Sequence, residues 1–372
     1  MIPVNRPLLI SGETKYLAEA IKTGWISSEG AFVKEFENKF AAYIGKRYGT
    51  AVSSGTAALE VAMGAIDLKP GDEVIMPTFT IISCAVAVVT YGGIPVFVDS
   101  EPDTWNMDVS QIEAKITKRT KAILVVHIYG HPCDMDAIRR IAKRKGLIVI
   151  EDAAEAIGAE YKGKKCGSFG DISVFSFYPN KTITTGEGGM LLTNSKHFKE
   201  RADELRNLGF KRERRYFHSE IARNYRMTNL QAALGVAQVK NIKKFVRMKR
   251  ERGKLYNKLL AGIPHVQLPV EKPWAKNIYW MYGIVLPARI TALTFRKKLA
   301  RQGIGTQPFF YPLHRQPVWR KAQYHKVREG NKGNFPVADR IAKQGLYLPS
   351  GLGNTEKEIK FVAAMVRRLL SN

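Results

Sequence analysis

Short apolar runs recur through the first two-thirds of the chain, at Ala51–Ser53, Glu73–Met76, Ile94–Val98, Ala122–His127, Leu147–Glu151, Ile172–Phe177 and Met190–Thr193. Between them lie amphipathic stretches, Thr56–Leu68, Ser83–Tyr91 and Met135–Lys145. A strand that is apolar on both faces needs cover on both sides, and an amphipathic helix supplies it. The alternation predicts an α/β domain built on a mostly parallel sheet with helices on both faces. Glycines at Gly92–Gly93 and Gly146 follow helical stretches as stop signals. Thr228–Val246 reads as one longer helix leaving that domain. From about Arg250 the pattern changes to strands at Tyr279–Leu286 and Thr306–Phe310 and helices at Thr294–Gln302 and Glu356–Leu370, a small α+β unit. The expected division is residues 1–246 for an N-terminal segment and large domain, and 247–372 for the small one. No low-complexity linker separates them, so a site at their junction is expected.

In an open parallel sheet, ligands bind at the carboxyl ends of the strands. Four segments put chemistry there. In DISVFSFYPNKTITTGEGGMLLT, an apolar strand delivers Ser176, a turn delivers Lys181, and Gly186, Gly188 and Gly189 reverse the chain. An amine held between buried strands is poorly solvated and well placed to form a Schiff base with a carbonyl. A surface lysine in a hairpin loop is the plainer alternative. SSGTAALEVA sets Ser54, Gly55 and Thr56 between a strand and a helix, where free amides make a phosphate site. A simple N-cap accounts for the same residues. LIVIEDAAEAIGA puts Asp152 after an apolar strand with Glu155 just beyond; below a pyridoxal ring, Asp152 would keep the ring nitrogen protonated, and otherwise it caps a helix. ARNYRMTNLQAALG carries Asn224 and Arg226 before a helix capped by Thr228 or Asn229. Each piece is ordinary alone. Phosphate cradle, strand-end aspartate and lysine in that order form a specific set, because pyridoxal 5′-phosphate requires all three.

Composition narrows the setting. In a chain of 372 residues, 45% apolar and 25% charged content are ordinary for a globular protein. No apolar run approaches the ~20 residues that span a bilayer, and the N-terminus lacks the layout of a signal peptide. Cys84, Cys133 and Cys166 are far apart without metal-ligand spacing, so reduced thiols in a cytoplasmic protein and no metal are expected. The net charge of +26 is unusual. Its clusters, at Arg139–Lys145, Lys211–Arg215 and Lys243–Lys254, come without a zinc-finger, basic-zipper or RNP pattern, which favours solvated surface over nucleic-acid binding. A phosphate-bearing substrate would gain from the field.

The chain resembles the DegT/DnrJ/EryC1/StrS family of sugar aminotransferases from GWISSEG to LPSGLG, and FSFYPNKTITTGEGGM is that family's lysine motif almost unaltered. The resemblance implies the type I, aspartate-aminotransferase-like fold, pyridoxal 5′-phosphate as cofactor, L-glutamate as amino donor and a nucleotide-linked keto-sugar as acceptor. GWISSEG, HIYGHPCDMD, NYRMTNLQAALGVAQ and FFYPLH look most like members that aminate C4 of GDP-4-keto-6-deoxymannose; a UDP-linked 4-keto sugar is the alternative. By position, the resemblance makes Lys181 the Schiff-base lysine and proton shuttle. Asp152 is then the partner of the ring nitrogen and Glu155 the neighbour of the ring hydroxyl. Gly55, Thr56 and Ser176 would bind the phosphate, with Asn224 reaching it from the second subunit of a homodimer. Trp25, Arg226, Tyr311 and His314 fall where relatives approach the sugar nucleotide. Two positions depart. PTFTIISCA offers Ile81 where an aromatic usually covers the ring, with Phe79 two residues earlier, and Ile81 is the favoured choice. His131 replaces a glutamine and is assigned no role. A dehydratase of this family would carry histidine in place of Lys181, and a nucleic-acid-binding protein on the same scaffold would not need the lysine at all.

Overall fold

The computed structural model describes residues 1–211, 214, 216–218 and 220–371, so part of the Lys211–Arg215 cluster lies outside the described residues. The seven apolar runs become β1 (Tyr48–Val52), β2 (Glu73–Pro77), β3 (Ile94–Val98), β4 (Thr120–Val126), β5 (Ile148–Asp152), β8 (Ile172–Ser176) and β9 (Gly189–Thr193); β6 (Glu160–Tyr161) and β7 (Lys164–Lys165) form a small hairpin between β5 and β8. The large sheet has the order β1-β9-β8-β5-β4-β2-β3. Pairs β2/β3, β2/β4, β4/β5 and β5/β8 are parallel, and β9 runs antiparallel to both β1 and β8. Every residue of β2, β3 and β9 is buried, as helix cover on both faces requires.

The helices start where side-chain caps allow. Helix α3 (Gly55–Ala65) is capped by Ser54, α5 (Met135–Lys145) by Asp134 and α6 (Lys196–Leu205) by Ser195, each accepting the amide three residues on. Around them lie α1 (Glu13–Lys22), α2 (Ala31–Ile44) and α4 (Ser83–Thr90). The single helix expected over Thr228–Val246 is two. Helix α7 (Asn229–Lys240) opens with a capping box between Thr228 and Gln231 and stops at Asn241, whose φ of −104° and ψ of 9° leave the helical region. Helix α8 (Ile242–Leu260) then restarts and runs well past the expected end. Its buried residues, from Ile242, Phe245 and Val246 to Tyr256 and Leu260, keep helical spacing beyond position 247.

After α8, β10 (Ala275–Lys276) pairs with β6. The small lobe joins the second half of α8 to β11 (Tyr282–Val285), β12 (Gln307–Pro308), β13 (Gly345–Leu348), α9 (Ala292–Ala300) and α12 (Glu356–Ser371), with α10 (His325–Gly330) and α11 (Pro336–Gln344) between β12 and β13 in the chain. Tyr256, Tyr282, Ile284, Phe295, Leu299, Leu346, Leu348, Ile359 and Val362 form its core. The chain's first residues lie along this lobe: Ile2 N–H donates to Gly303 O at 2.8 Å, Ser350 N–H to Val4 O at 3.1 Å, and Gly353 N–H to Arg6 O at 2.7 Å. Among the described residues no helix is long and apolar enough to cross a membrane. The three cysteines are free and buried.

Candidate active site

At the carboxyl ends of β5 and β8, beside the N-terminus of α3, a cavity of about 350 Å³ opens between the lobes. Gly55, Thr56, Ile81, Asp152, Glu155, Ser176 and Lys181 all line it. Its anion end is built from the start of α3. The Ser54 hydroxyl accepts the Ala57 amide at 3.1 Å, which leaves the amides of Gly55 and Thr56 without helical acceptors. The Thr56 hydroxyl donates to Ser83 Oγ at 3.0 Å. Glycine is required at position 55: a Cβ there would stand 2.8 Å from Ser176 Cβ. Gly189 is held as tightly, since its Cβ would lie 2.3 Å from Ser54 O. The glycines after Lys181 therefore let the returning strand pass against the cradle.

Opposite the cradle, burial governs the charges. Asp152 is 3% exposed, with the Ala154 amide (3.0 Å) and the Cys84 thiol (3.4 Å) as its donors. Burial raises its pKa, and the Ala154 bond and nearby Lys181 only partly oppose this. Glu155, 4% exposed, accepts the Tyr129 amide at 2.8 Å. Burial pushes it up as well, against the pull of Lys181. Lys181 is itself lowered by burial, with Glu155 and Asp152 opposing, so its amine loses a proton more readily than one in water. Its Nζ lies 3.8 Å from the centroid of the Trp280 ring. A buried carboxylate with one amide and one weak thiol donor is short of partners, and a cationic ring nitrogen is what it lacks.

The other expected residues lie apart from the cavity. Asn224 is exposed and accepts from Arg226 Nε at 3.0 Å, while Arg226 Nη1 donates to Asn207 Oδ1 at 2.8 Å. Both sit on a segment bonded to the end of β1, where Ser53 N–H donates to Tyr225 O at 2.8 Å. Trp25 and Tyr311 are each 59% exposed. His314 spends both ring nitrogens inside the fold, on Thr78 Oγ1 (2.7 Å) and Asp339 Oδ1 (3.1 Å), and stacks on Phe335. Phe79 is fully buried against Tyr129, Phe309 and Phe310, leaving Ile81 to line the cavity. Tyr178, Asn180, Trp280, Phe310 and Tyr347, none of them among the site residues expected from the sequence, also line it.

His131 is buried away from this cavity, with Nδ1 on Pro132 O at 2.7 Å and Nε2 accepting the Lys272 amide at 3.3 Å. Burial holds its imidazole down to about 4 from the usual 6.5. Because the folded value lies below the unfolded one, the unfolded chain binds more protons in this window. The contribution is complete above pH ~6.5 and is lost as the pH falls toward ~4, about 3 kcal/mol in all. Denaturant titrations across that range are expected to show His131→Gln losing less stability than the parent. Equal losses would refute the assignment.

The sequence profile of the DegT/DnrJ/EryC1/StrS aminotransferase family matches residues 8–367. The chain belongs to this family. Similar relatives include the GDP-perosamine synthase of Escherichia coli O157:H7, 42% identical over 100% of this chain and 99% of the relative. That of Vibrio cholerae is 40% identical over 99% and 98%. Among solved structures, the aminotransferase TlmJ from Streptoalloteichus hindustanus superposes with a TM-score of 0.92 at 29% identity, covering 100% of this chain and 99% of that one. The fold is that of the sugar aminotransferases, with the large mostly parallel sheet and small α+β lobe expected from the sequence.

Proposed function

We propose that this DegT/DnrJ/EryC1/StrS aminotransferase uses pyridoxal 5′-phosphate to move an amino group from L-glutamate to C4 of GDP-4-keto-6-deoxymannose, giving GDP-perosamine. The observation that carries the chemistry is one cavity holding a phosphate cradle, an under-paired buried Asp152 and a desolvated Lys181. The observation that favours this substrate is full-length similarity to two GDP-perosamine synthases.

The residues present fit the cofactor. A Cβ at Gly55 would fill the cradle, and the amides at the start of α3 together with the Ser176 and Thr56 hydroxyls suit a phosphate. Asp152 supplies the anion a pyridine nitrogen needs. When bound, the cofactor supplies a carbonyl that takes up amino groups and a ring that accepts the electron pair of a broken C–H bond. Lys181 Nζ takes the proton from the donor amino acid's α-carbon in one half of the reaction and returns a proton to the sugar's C4 in the other. Burial lowers the basicity of this amine, so it sheds a proton to act as a base more readily than a lysine in water. Ile81 on one side and the aromatic Phe310, Tyr347 and Trp280 on the small-lobe side restrict water.

We place the active unit as a homodimer, with Asn224 reaching the partner's phosphate cradle; its exposed position outside its own cavity supports this. Trp25, Arg226 and Tyr311 would meet the nucleotide at the rim, and buried reduced thiols suit the cytoplasm. Turnover of matched GDP- and UDP-4-keto-6-deoxyhexoses with glutamate tests the substrate. The GDP sugar is expected to be preferred by at least ~100-fold in kcat/KM, as when a site's polar groups lose their partners. Preference for the UDP sugar would overturn the assignment while leaving the transaminase intact.

A further inference from the structure

We propose that Asn5 and Trp280 are positioning residues that seat the catalytic turn through one shared acceptor, the backbone carbonyl of Asn180. The proposal rests on the reading of Lys181 as the reacting amine. Asn5 Nδ2 donates to Asn180 O at 2.8 Å across 175 residues of chain. Trp280 Nε1 donates to the same oxygen, also at 2.8 Å, across 100 residues. A carbonyl oxygen has two lone pairs, and here both are taken. The peptide plane between Asn180 and Lys181 is thereby fixed, and with it the direction in which the lysine leaves the chain.

Trp280 also holds the other end of that side chain, its ring face lying 3.8 Å from Lys181 Nζ. A lysine with four rotatable bonds is imprecise unless both root and tip are held. Here the indole N–H fixes the root and the indole face the tip.

Both anchors are themselves secured. The Trp280 amide donates to Tyr129 O at 2.9 Å, and its carbonyl accepts buried Lys249 Nζ at 2.6 Å. Lys249 makes a second 2.6 Å bond to Ser350 O, next to the loop that grips the N-terminus. Asn5 lies between Val4, whose carbonyl accepts from Ser350, and Arg6, whose carbonyl accepts from Gly353. Gly351 is needed for this approach, since a Cβ there would stand 2.5 Å from Asn5 Oδ1. The small lobe and the N-terminal segment thus meet on one oxygen atom at the root of the reacting lysine.

The test uses the full-length chain as Trp280→Phe, which keeps an aromatic face but loses the N–H, Asn5→Ala, and the double variant. Asn5→Asp, isosteric and lacking the same donor, replaces Asn5→Ala if that variant is poorly folded. The first readout, taken on the full-length chain freed of cofactor so that the amine is not joined to a carbonyl, is the pH dependence of Lys181 labelling by an amine-selective reagent, followed by mass spectrometry. Asp152, Glu155 and Cys84, the groups that face the amine, remain in every variant. Loss of either anchor lets the ammonium drift off the aromatic face at position 280, so the labelling midpoint is expected to fall by about half a pH unit. Asn5→Ala never touches the amine, and a purely structural role would leave its midpoint unmoved. The second readout is kinetic. Each single variant is expected to lower kcat about tenfold with KM little changed, and the double variant to be no more than ~3-fold worse than either. An unmoved midpoint in the Asn5 variants, or independent multiplicative losses in kcat, overturns the proposal. If the parent chain shows no transamination, the functional reading fails, and the labelling midpoints still decide this one.

Discussion

Lys181→Ala is expected to lower turnover by at least ~10⁴-fold while the protein stays folded. The substitution removes a nucleophilic amine and a general base from one position, and acid–base catalysis alone contributes ~10²–10⁴-fold. Stability should change little. Burial disfavours its ammonium, and Ala leaves the backbone bond from its amide to Tyr178 O (2.9 Å) in place. Retention of the amine form of the cofactor is expected to persist, because the cradle at Gly55 and Ser176 and the anion at Asp152 are untouched. Added methylamine should restore part of the proton transfer, since it fits where the side chain was removed. Steady-state assays with and without methylamine check the point. Activity within tenfold of the parent would remove Lys181 from the reaction.

Asp152→Asn is expected to cost ~10³-fold in kcat, comparable to losing a strong electrostatic contact to developing charge. The amide keeps the shape and can still accept the Ala154 amide, but it cannot hold a proton on a ring nitrogen. The same change should have the opposite sign in the cofactor-free protein. Asp152 is buried with two donors among the described residues, so replacing its charge by a neutral isostere is expected to raise stability there by about 1 kcal/mol. Loss of activity together with a higher melting temperature before cofactor addition, and a smaller gain upon it, identifies an aspartate kept for its partner. A lower melting temperature in both states would make Asp152 a structural acid.

Much of this was legible in local pattern. The apolar runs located the strands because a strand covered on both faces tolerates few polar residues. Asp152 and Lys181 stood out for the same reason: each follows such a run at the end where parallel sheets bind ligands. The α7–α8 break was not legible, because Asn241 is acceptable inside a helix and departs from it only in its tertiary setting, where its side chain donates to Ser11 Oγ at 3.0 Å. Nor was Trp280, which arrives from the small lobe through the left-handed Tyr279 (φ 50°) with no sequence signal linking it to position 181. Ile81 and Phe79 were separable only in part. Phe79 joins an aromatic cluster assembled from Tyr129, Phe309 and Phe310, contacts that no local periodicity encodes. Asn224, Trp25, Arg226 and Tyr311 are proposed to act across or at the rim of an assembly, and one chain does not bring them to the cavity.

Isotope transfer tests the central claim most directly. The full-length enzyme, loaded with pyridoxal 5′-phosphate, is incubated with [15N]glutamate and GDP-4-keto-6-deoxymannose, and the products are read by NMR. The account predicts 15N bonded to C4 of the sugar, one 2-oxoglutarate per amino sugar formed, and neither product with Lys181→Ala. Unlabelled sugar, or label transfer undiminished in Lys181→Ala, would contradict it.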